Sequence, residues 1–136
     1  MAVVLNQYLK AIAQSENPKA EIKKWCGNLK DLVLSGDRVM VATYARPEKT
    51  EGGIYLSDAV QIEDRFQGAV GCLVAKGPAA FKYDGAYKFE GDEPPLFSWV
   101  IFRPADGYEI AWRKASCRIF RSESIFGVIK SPELVY

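Results

Sequence analysis

Two different periods of apolar residues divide the chain. Up to about residue 31 the apolar side chains recur at the helical spacing i, i+3, i+4 and i+7, which predicts two short amphipathic helices. Their stripes consist of Leu5, Tyr8, Leu9 and Ile12 in the first helix and of Ile22, Trp25, Cys26 and Leu29 in the second. Beyond Leu32 the apolar residues alternate with polar ones over short runs, which is typical of β-strands.

Local capping signals mark the limits of the second helix. Asn17 can accept a hydrogen bond from the first turn, Pro18 suits the first helical position, and Gly27 offers a stop. Helices this short are not stable alone, so each apolar stripe needs a surface to cover. Two arrangements are open: the helices cover the β-rich part of their own subunit, or they contact a neighbouring subunit.

Six short strands are predicted after the helices, at about residues 38–44, 66–74, 99–102, 109–112, 117–121 and 125–129. In the first of them Val39, Val41 and Thr43 alternate with Met40 and Ala42, which predicts a half-buried strand with one apolar face. Turn signals separate the strands at short intervals. Many short strands of this kind favour a small β-barrel.

A polar segment that contains glycine separates the first two strands. Residues 46–53 carry charge, a proline and the pair Gly52-Gly53, with almost nothing apolar to bury, so the segment is predicted to be mobile. The apolar tripeptide Ile54-Tyr55-Leu56 follows directly. Two interpretations are open: an ordinary loop that leads into another core strand, or a tether that offers the tripeptide to a partner.

The segment 79–95 has the pattern of a β-hairpin. Its aromatic residues are Phe81, Tyr83, Tyr87 and Phe89. They surround Asp84-Gly85, a dipeptide that strongly favours a hairpin turn. Pairing of the aromatic rings across the two strands explains them better than stacking on nucleic-acid bases, because only Lys82 and Lys88 supply positive charge there.

Five short motifs stand in a definite order along the chain. They are Asp37-Arg38-Val39, Gly52-Gly53 with Ile54-Tyr55-Leu56, Gln67-Gly68-Ala69-Val70, Asp106-Gly107-Tyr108, and the run from Ser122 to Ile129. In order and spacing they resemble the GroES family of co-chaperonins, the lids of barrel-shaped chaperonins. The resemblance covers roughly residues 34–129 and implies a mainly β chain with a small GroES-like β-barrel. It also implies a mobile loop at about 45–65 and a roof hairpin at about 79–95.

The same resemblance implies a function. A co-chaperonin caps a chaperonin ring and helps to enclose a folding client protein, while the chaperonin hydrolyses the ATP, so no cofactor of the lid is expected. By this resemblance the chaperonin-binding residues are Gly52, Gly53, Ile54, Tyr55 and Leu56. The family's lids are rings of seven subunits. In such a ring the terminal segments, here 32–44 and 117–129, are expected to pair between neighbouring subunits.

Three features depart from the family's usual pattern. A helical extension over 1–31 precedes the predicted barrel domain over 32–136. Leu96-Phe97-Ser98 stands where the family commonly has a Val-Gly-Asp step, which leaves the local turn open, and Tyr55 is bulkier than the family's aliphatic residue. These departures keep one alternative in view: a structural protein, for example of a viral particle, that reuses the fold without binding a chaperonin. Phages are known to encode divergent co-chaperonins.

Composition narrows the classes of partner. The chain has 136 residues, 49% of them apolar and 26% charged, with a formal net charge of +1, which argues against nucleic acid or an anionic membrane as the main partner. It contains no histidine, and its three cysteines form no C-x-x-C pair, so neither a zinc site nor a histidine-assisted nucleophile is expected. Cys26, Cys72 and Cys117 are predicted to be small buried hydrophobes in a reducing compartment.

Two further classes of protein are disfavoured. Zinc alcohol dehydrogenases share the barrel in their substrate domain, but this chain lacks the G-x-G-x-x-G stretch of their nucleotide fold, and we expect no enzymatic activity. The chain contains no run of about 18 apolar residues, so no membrane span is expected. The N-terminus has no signal-peptide pattern. The expected location is the cytoplasm, which is the host's cytoplasm if the chain is phage-encoded.

Overall fold

The computed structural model describes residues 2–45, 70–81 and 93–134, without the side chains of residues 2–6, 104 and 133. Its helices are α1 (Ala2–Gln14) and α2 (Pro18–Cys26). Its strands are β1 (Arg38–Thr43), β2 (Val70–Lys76), β3 (Trp99–Phe102), β4 (Tyr108–Trp112), β5 (Ala115–Arg121) and β6 (Ile125–Ile129). The predicted fold class, mainly β with a short helical extension before it, is confirmed.

The capping signals act where the sequence places them. The Asn17 side chain accepts a hydrogen bond from the Ala20 backbone N–H at 3.2 Å, and Pro18 is the first residue of α2. At the other end Gly27 takes a φ of 62°, and its N–H donates to the Lys23 carbonyl. Leu29 therefore lies beyond α2, in a short 3-10 turn, although its side chain still packs against the same cluster as the helix.

All six strands belong to one antiparallel sheet with the order β4-β5-β1-β2-β3-β6. Among the described strands β4 and β6 are the edges. The sheet curves strongly, because the rings of Phe102 in β3 and Phe120 in β5 contact each other at 4.8 Å between centroids. In a flat sheet these two strands, three positions apart, would be about 14 Å from one another. Curvature of this degree is what a small barrel requires.

The prediction that β1 is half-buried is wrong, because both faces of the strand are covered. One face of the sheet, the inner face, carries Val39, Val41, Leu73, Val100, Phe102 and Phe120. The other, the helix-covered face, carries Met40, Ala42, Cys72, Val74 and Cys117, and it packs with Tyr8, Leu9, Ile12 and Ile22 of the two helices. The alternation predicts one apolar face if Met40 and Ala42 point toward water, but the helices cover both of these residues. The helices thus cover the sheet of their own subunit.

The turn before β3, which the sequence left open, forms with a phenylalanine in it. Phe97 takes a φ of 67°, a left-handed conformation that usually favours glycine. Its N–H donates to the Leu73 carbonyl at 2.5 Å, and the Lys23 ammonium of α2 lies 4.6 Å from the centre of its ring. Packing of the ring against the helical extension offsets part of the cost of this backbone conformation.

The described ends of the predicted roof hairpin, 79–81 and 93–95, contain no strand. Phe81 closes a turn, is buried in the cluster of the inner face, and donates its N–H to the Ser122 hydroxyl at 3.1 Å. Phe81 is therefore a core residue and not a member of the predicted cross-strand aromatic set. The other three aromatic residues of that prediction, and Asp84-Gly85, lie outside the described residues.

Gly71 in β2 lies where the backbones approach too closely for a side chain. A Cβ placed there would meet the Val41 side chain and would lie 2.6 Å from the Ala42 carbonyl oxygen and 3.1 Å from the ring of Phe102. The Ala42 carbonyl belongs to the neighbouring strand β1 and cannot rotate away. The site therefore tolerates glycine only.

We expect Gly71→Ala to lower the free energy of unfolding by about 2–3 kcal/mol, because the added methyl overpacks a rigid site. Gly127→Ala is the matched control, since a Cβ at that strand position meets nothing within 4 Å. Urea unfolding followed by circular dichroism measures both variants. Equal midpoints for the two would show that the β1–β2 contact is looser than described.

Candidate functional site

The predicted binding residues Gly52, Gly53, Ile54, Tyr55 and Leu56 lie outside the described residues. The structure describes the two strand ends that flank them, which we call the loop root: Thr43, Tyr44 and Ala45 on one side and Val70 and Gly71 on the other. Thr43 pairs with Gly71 across the antiparallel β1–β2 ladder. Both ends of the segment 46–69 therefore leave the sheet side by side, at the same end of two adjacent strands.

The loop root is held firmly from several directions. The Tyr8 hydroxyl of α1 donates to the Thr43 carbonyl at 2.8 Å, and the Thr43 and Ser116 hydroxyls are hydrogen-bonded at 3.2 Å. The ring of Tyr44 meets Trp99 edge to face at 5.4 Å between centroids. Thr43, Tyr44 and Ala45 are all buried. A segment that leaves such a root has a fixed point of departure, whatever its own conformation.

The match to a known family covers this root and all six described strands of the sheet. A profile of the family described as Chaperonin 10 Kd subunit matches residues 32–129, more than two thirds of the chain. The chain belongs to this family. Membership supports a co-chaperonin function, with a chaperonin as partner and a ring as the assembled form, and the family is not one of enzymes. The match begins after α2, so both helices of this co-chaperonin lie outside it.

Sequence reasoning did not foresee the role of Tyr8 in this co-chaperonin. The helical spacing identified it as a residue of an apolar stripe, and it is fully buried there. Its partner Thr43 is 35 residues away, and nothing in the local pattern indicates that contact. Burial, reinforced by the nearby cysteines, raises the pKa of the Tyr8 hydroxyl well above its usual value. The hydroxyl therefore stays neutral and remains a hydrogen-bond donor to the loop root.

The three cysteines meet beneath the helices, which the sequence also did not indicate. Cys72 in β2 and Cys117 in β5 both pair with Ala42 in β1, so the two lie in one row across three strands of the helix-covered face. Cys26 reaches the same cluster from the end of α2. All three are buried and free, which confirms the prediction of buried thiols. Burial raises the pKa of Cys72 from 9.0 to about 12.

This pKa shift predicts a loss of stability in alkali. The folded pKa of Cys72 lies above its unfolded value, so its contribution is complete below pH 9 and is lost as the pH rises toward 12. By pH 10 the loss should be about 1.4 kcal/mol from this thiol. Urea unfolding at pH 7.5, 9 and 10 should therefore show a shallower decline for Cys72→Ala than for the unchanged protein. Parallel declines would mean that the Cys72 thiol is not desolvated in the folded state.

Neither a membrane span nor a metal cluster is seen in the part of the chain that the structure describes. Neither α1 nor α2 is long and apolar enough to cross a membrane. Over 2–45, 70–81 and 93–134 no three cysteine or acidic side chains are grouped so that they could hold a metal ion.

Proposed function

We propose that this protein caps a chaperonin ring and helps to enclose a client protein, and that it binds through Ile54, Tyr55 and Leu56 on a mobile segment. The observation that carries the proposal is the family match over residues 32–129, which includes the whole segment between β1 and β2. The fixed loop root supports it, since a tether needs a firm anchor. The partner chaperonin supplies ATP hydrolysis, and the lid itself needs no cofactor.

Magnitudes explain how a tripeptide can suffice for binding. Burial of the three side chains gives roughly 4–8 kcal/mol per subunit. Ordering about ten segment residues at about 1 kcal/mol each cancels most of that gain. A single segment therefore binds weakly, and the ring binds firmly because its copies act together through a high effective concentration.

Two residue choices adapt the segment to this role. Gly52 and Gly53 allow backbone angles that other residues resist, so the tripeptide can reorient when it docks. Tyr55 adds a hydroxyl that needs water or a polar partner. We infer that the partner chaperonin offers a groove wide enough for a phenol ring with a polar group at its end.

The ring proposal can be narrowed to particular edges of the sheet. Of the segments expected to pair between subunits, β1 and β5 already have neighbours on both sides within their own sheet. These two strands are paired on both sides along most of their length, so the other parts of the two segments are the better candidates for contact between subunits. β6 is an edge strand with Phe126 64% and Val128 52% exposed, and Val33 in the extended stretch before β1 is 87% exposed. We propose that β6 of one subunit meets residues 32–34 of the next.

We expect Phe126→Asp to dissociate the ring, because it places a charge in an apolar contact at every subunit boundary. Tyr108→Asp is the matched control: Tyr108 is 72% exposed on the opposite edge strand, β4. Native mass spectrometry reads the subunit count, for which seven is expected from the family. If Tyr108→Asp dissociates the ring and Phe126→Asp does not, the interface lies on β4 instead.

The direct test of the function mixes the purified protein with a chaperonin and ATP and examines the particles by electron microscopy. Capped barrels that need nucleotide are the expected result. A protein that forms rings but never caps a chaperonin would favour the structural role considered from the sequence.

The proposal also includes a domain division and a location. The division is an extension over 1–31 and a barrel domain over 32–136, and the location is the cytoplasm.

A further inference from the structure

The last residue of β1, Thr43, is held by the helical extension as well as by the sheet. The hydroxyl of Tyr8 in α1 donates to the Thr43 carbonyl at 2.8 Å, and both residues are buried. Because the Tyr8 side chain is fully enclosed, water does not compete for this hydrogen bond. The bond joins positions 35 residues apart and brings a helix residue to the loop root, next to the point where the segment 46–69 leaves the sheet.

A second set of contacts runs from α2 to the same root. The Lys19 ammonium lies 5.9 Å from the centre of the Trp99 ring, and that ring meets Tyr44 edge to face. Trp25 of α2 contacts the Tyr8 ring edge to face, at 5.6 Å between centroids. Such a ring pair favours one relative orientation, so α2 helps to set the direction of the Tyr8 hydroxyl. Both helices therefore act on two successive residues of the loop root.

We propose that Tyr8 is a positioning residue for chaperonin binding: through its hydrogen bond to Thr43, the helical extension keeps the loop root ordered for docking. The inference rests on the proposed function, because it concerns how the binding segment is presented to the chaperonin. Tyr8 acts through Thr43 and needs no contact with the partner. The family match begins at residue 32, so this control lies in a part of the chain that the match does not include.

The effect of the hydrogen bond on binding follows from conformational entropy. A root that is already ordered in the free ring adds no further ordering cost when the tripeptide docks. Without the Tyr8 hydroxyl the buried Thr43 carbonyl loses a donor, and the end of β1 gains by moving toward water. Each subunit then has more residues to order on docking, and the loss recurs at every subunit of the ring.

Two full-length variants separate positioning from stability. Tyr8→Phe removes the hydroxyl and keeps the ring against Trp25, whereas Ile22→Val trims the same buried cluster and leaves the bond to Thr43 intact. Each should form the ring and lower the Tm by roughly 3–6 °C. Well below both Tm values, the affinity for a chaperonin ring with ATP should fall at least about tenfold for Tyr8→Phe and less than about twofold for Ile22→Val.

Hydrogen exchange of the free ring, measured by mass spectrometry, tests the same contact without a chaperonin. The peptide over 41–45 should exchange faster in Tyr8→Phe than in Ile22→Val, because only the first variant releases the loop root. If Tyr8→Phe does not fold, exchange in the unchanged protein at low urea decides the question. In that experiment α1 and residues 41–45 should open together, and a root that opens while α1 stays protected would overturn the proposal.

The outcomes distinguish this inference from the proposed function. If the unchanged protein never caps a chaperonin, the proposed function fails, and the binding role of Tyr8 fails with it. If the unchanged protein caps and the two variants cap equally well, or lose affinity equally, only the inference fails, because Tyr8 then contributes no more than stability. Unchanged exchange over 41–45 in Tyr8→Phe would also refute it.

Discussion

Replacement of both Ile54 and Leu56 by serine should leave the fold and the ring intact and abolish chaperonin capping. Residues 46–53, which precede the tripeptide, are polar, proline or glycine, so under the proposed function we expect the Ile54 and Leu56 side chains to contribute little to folding of the free ring. On the chaperonin, each lost side chain removes about 2 kcal/mol of burial, and the loss is repeated at every subunit. Electron microscopy with chaperonin and ATP should therefore show uncapped barrels, while circular dichroism and native mass spectrometry remain unchanged.

A matched control separates loss of the tripeptide from loss of an apolar surface residue in general. Leu134 is 71% exposed and lies after the family match, so Leu134→Ser should cap normally. In the unchanged protein, protease cleavage between residues 45 and 65 should also fall when chaperonin and nucleotide are present. A double variant that does not fold would mean that the tripeptide belongs to the core. If the unchanged protein and the double variant both fold and neither caps a chaperonin, the structural, non-chaperonin role would be favoured.

Deletion of residues 1–28 should make the protein insoluble or prevent its folding. The deletion removes α1 and α2 and leaves the helix-covered face in water. Tyr8, Leu9, Ile12 and Ile22 are fully buried in that contact. At about 2 kcal/mol for each of them, the loss is on the order of 8 kcal/mol before the newly exposed sheet residues are counted. That is comparable to the whole stability of an ordinary domain.

Point variants make the same test without removing a segment. Leu9→Ala should lower the free energy of unfolding by about 3 kcal/mol, because it creates a cavity between α1 and the sheet. Lys24→Ala, on the exposed side of α2, should change it by less than about 0.5 kcal/mol. A truncated protein that stays soluble with an unchanged Tm and subunit count would show that the extension serves another partner.

Features set by neighbouring residues were correctly predicted. Asn17, Pro18 and Gly27 fix the ends of α2 through hydrogen bonds and backbone angles within a few residues. The strand at Trp99–Phe102 and the last strand at Ile125–Ile129 also have the predicted limits. A cap or a strand period depends on local sterics and hydrogen bonding, so the sequence carries the information directly.

The prediction that Ile54-Tyr55-Leu56 binds a chaperonin came from resemblance and not from local physics. Periodicity alone left Ile54-Tyr55-Leu56 open between a core strand and a docking segment. The family match includes the segment, and the structure describes the root from which it departs. The assignment of Gly52 to Leu56 as the chaperonin contact remains a prediction for the loop variants to test.

Only the tertiary structure shows which distant parts of the chain contact each other. The sequence predicted a half-buried β1, because its alternation is the same whether water or a helix lies over Met40 and Ala42. The Tyr8–Thr43 hydrogen bond and the contact of Lys23 with the Phe97 ring both depend on α1 or α2 lying on the sheet. The chain itself determined which stripes are apolar. Which surface each stripe covers is set by packing of whole elements, since apolar burial is non-directional and a stripe specifies no partner.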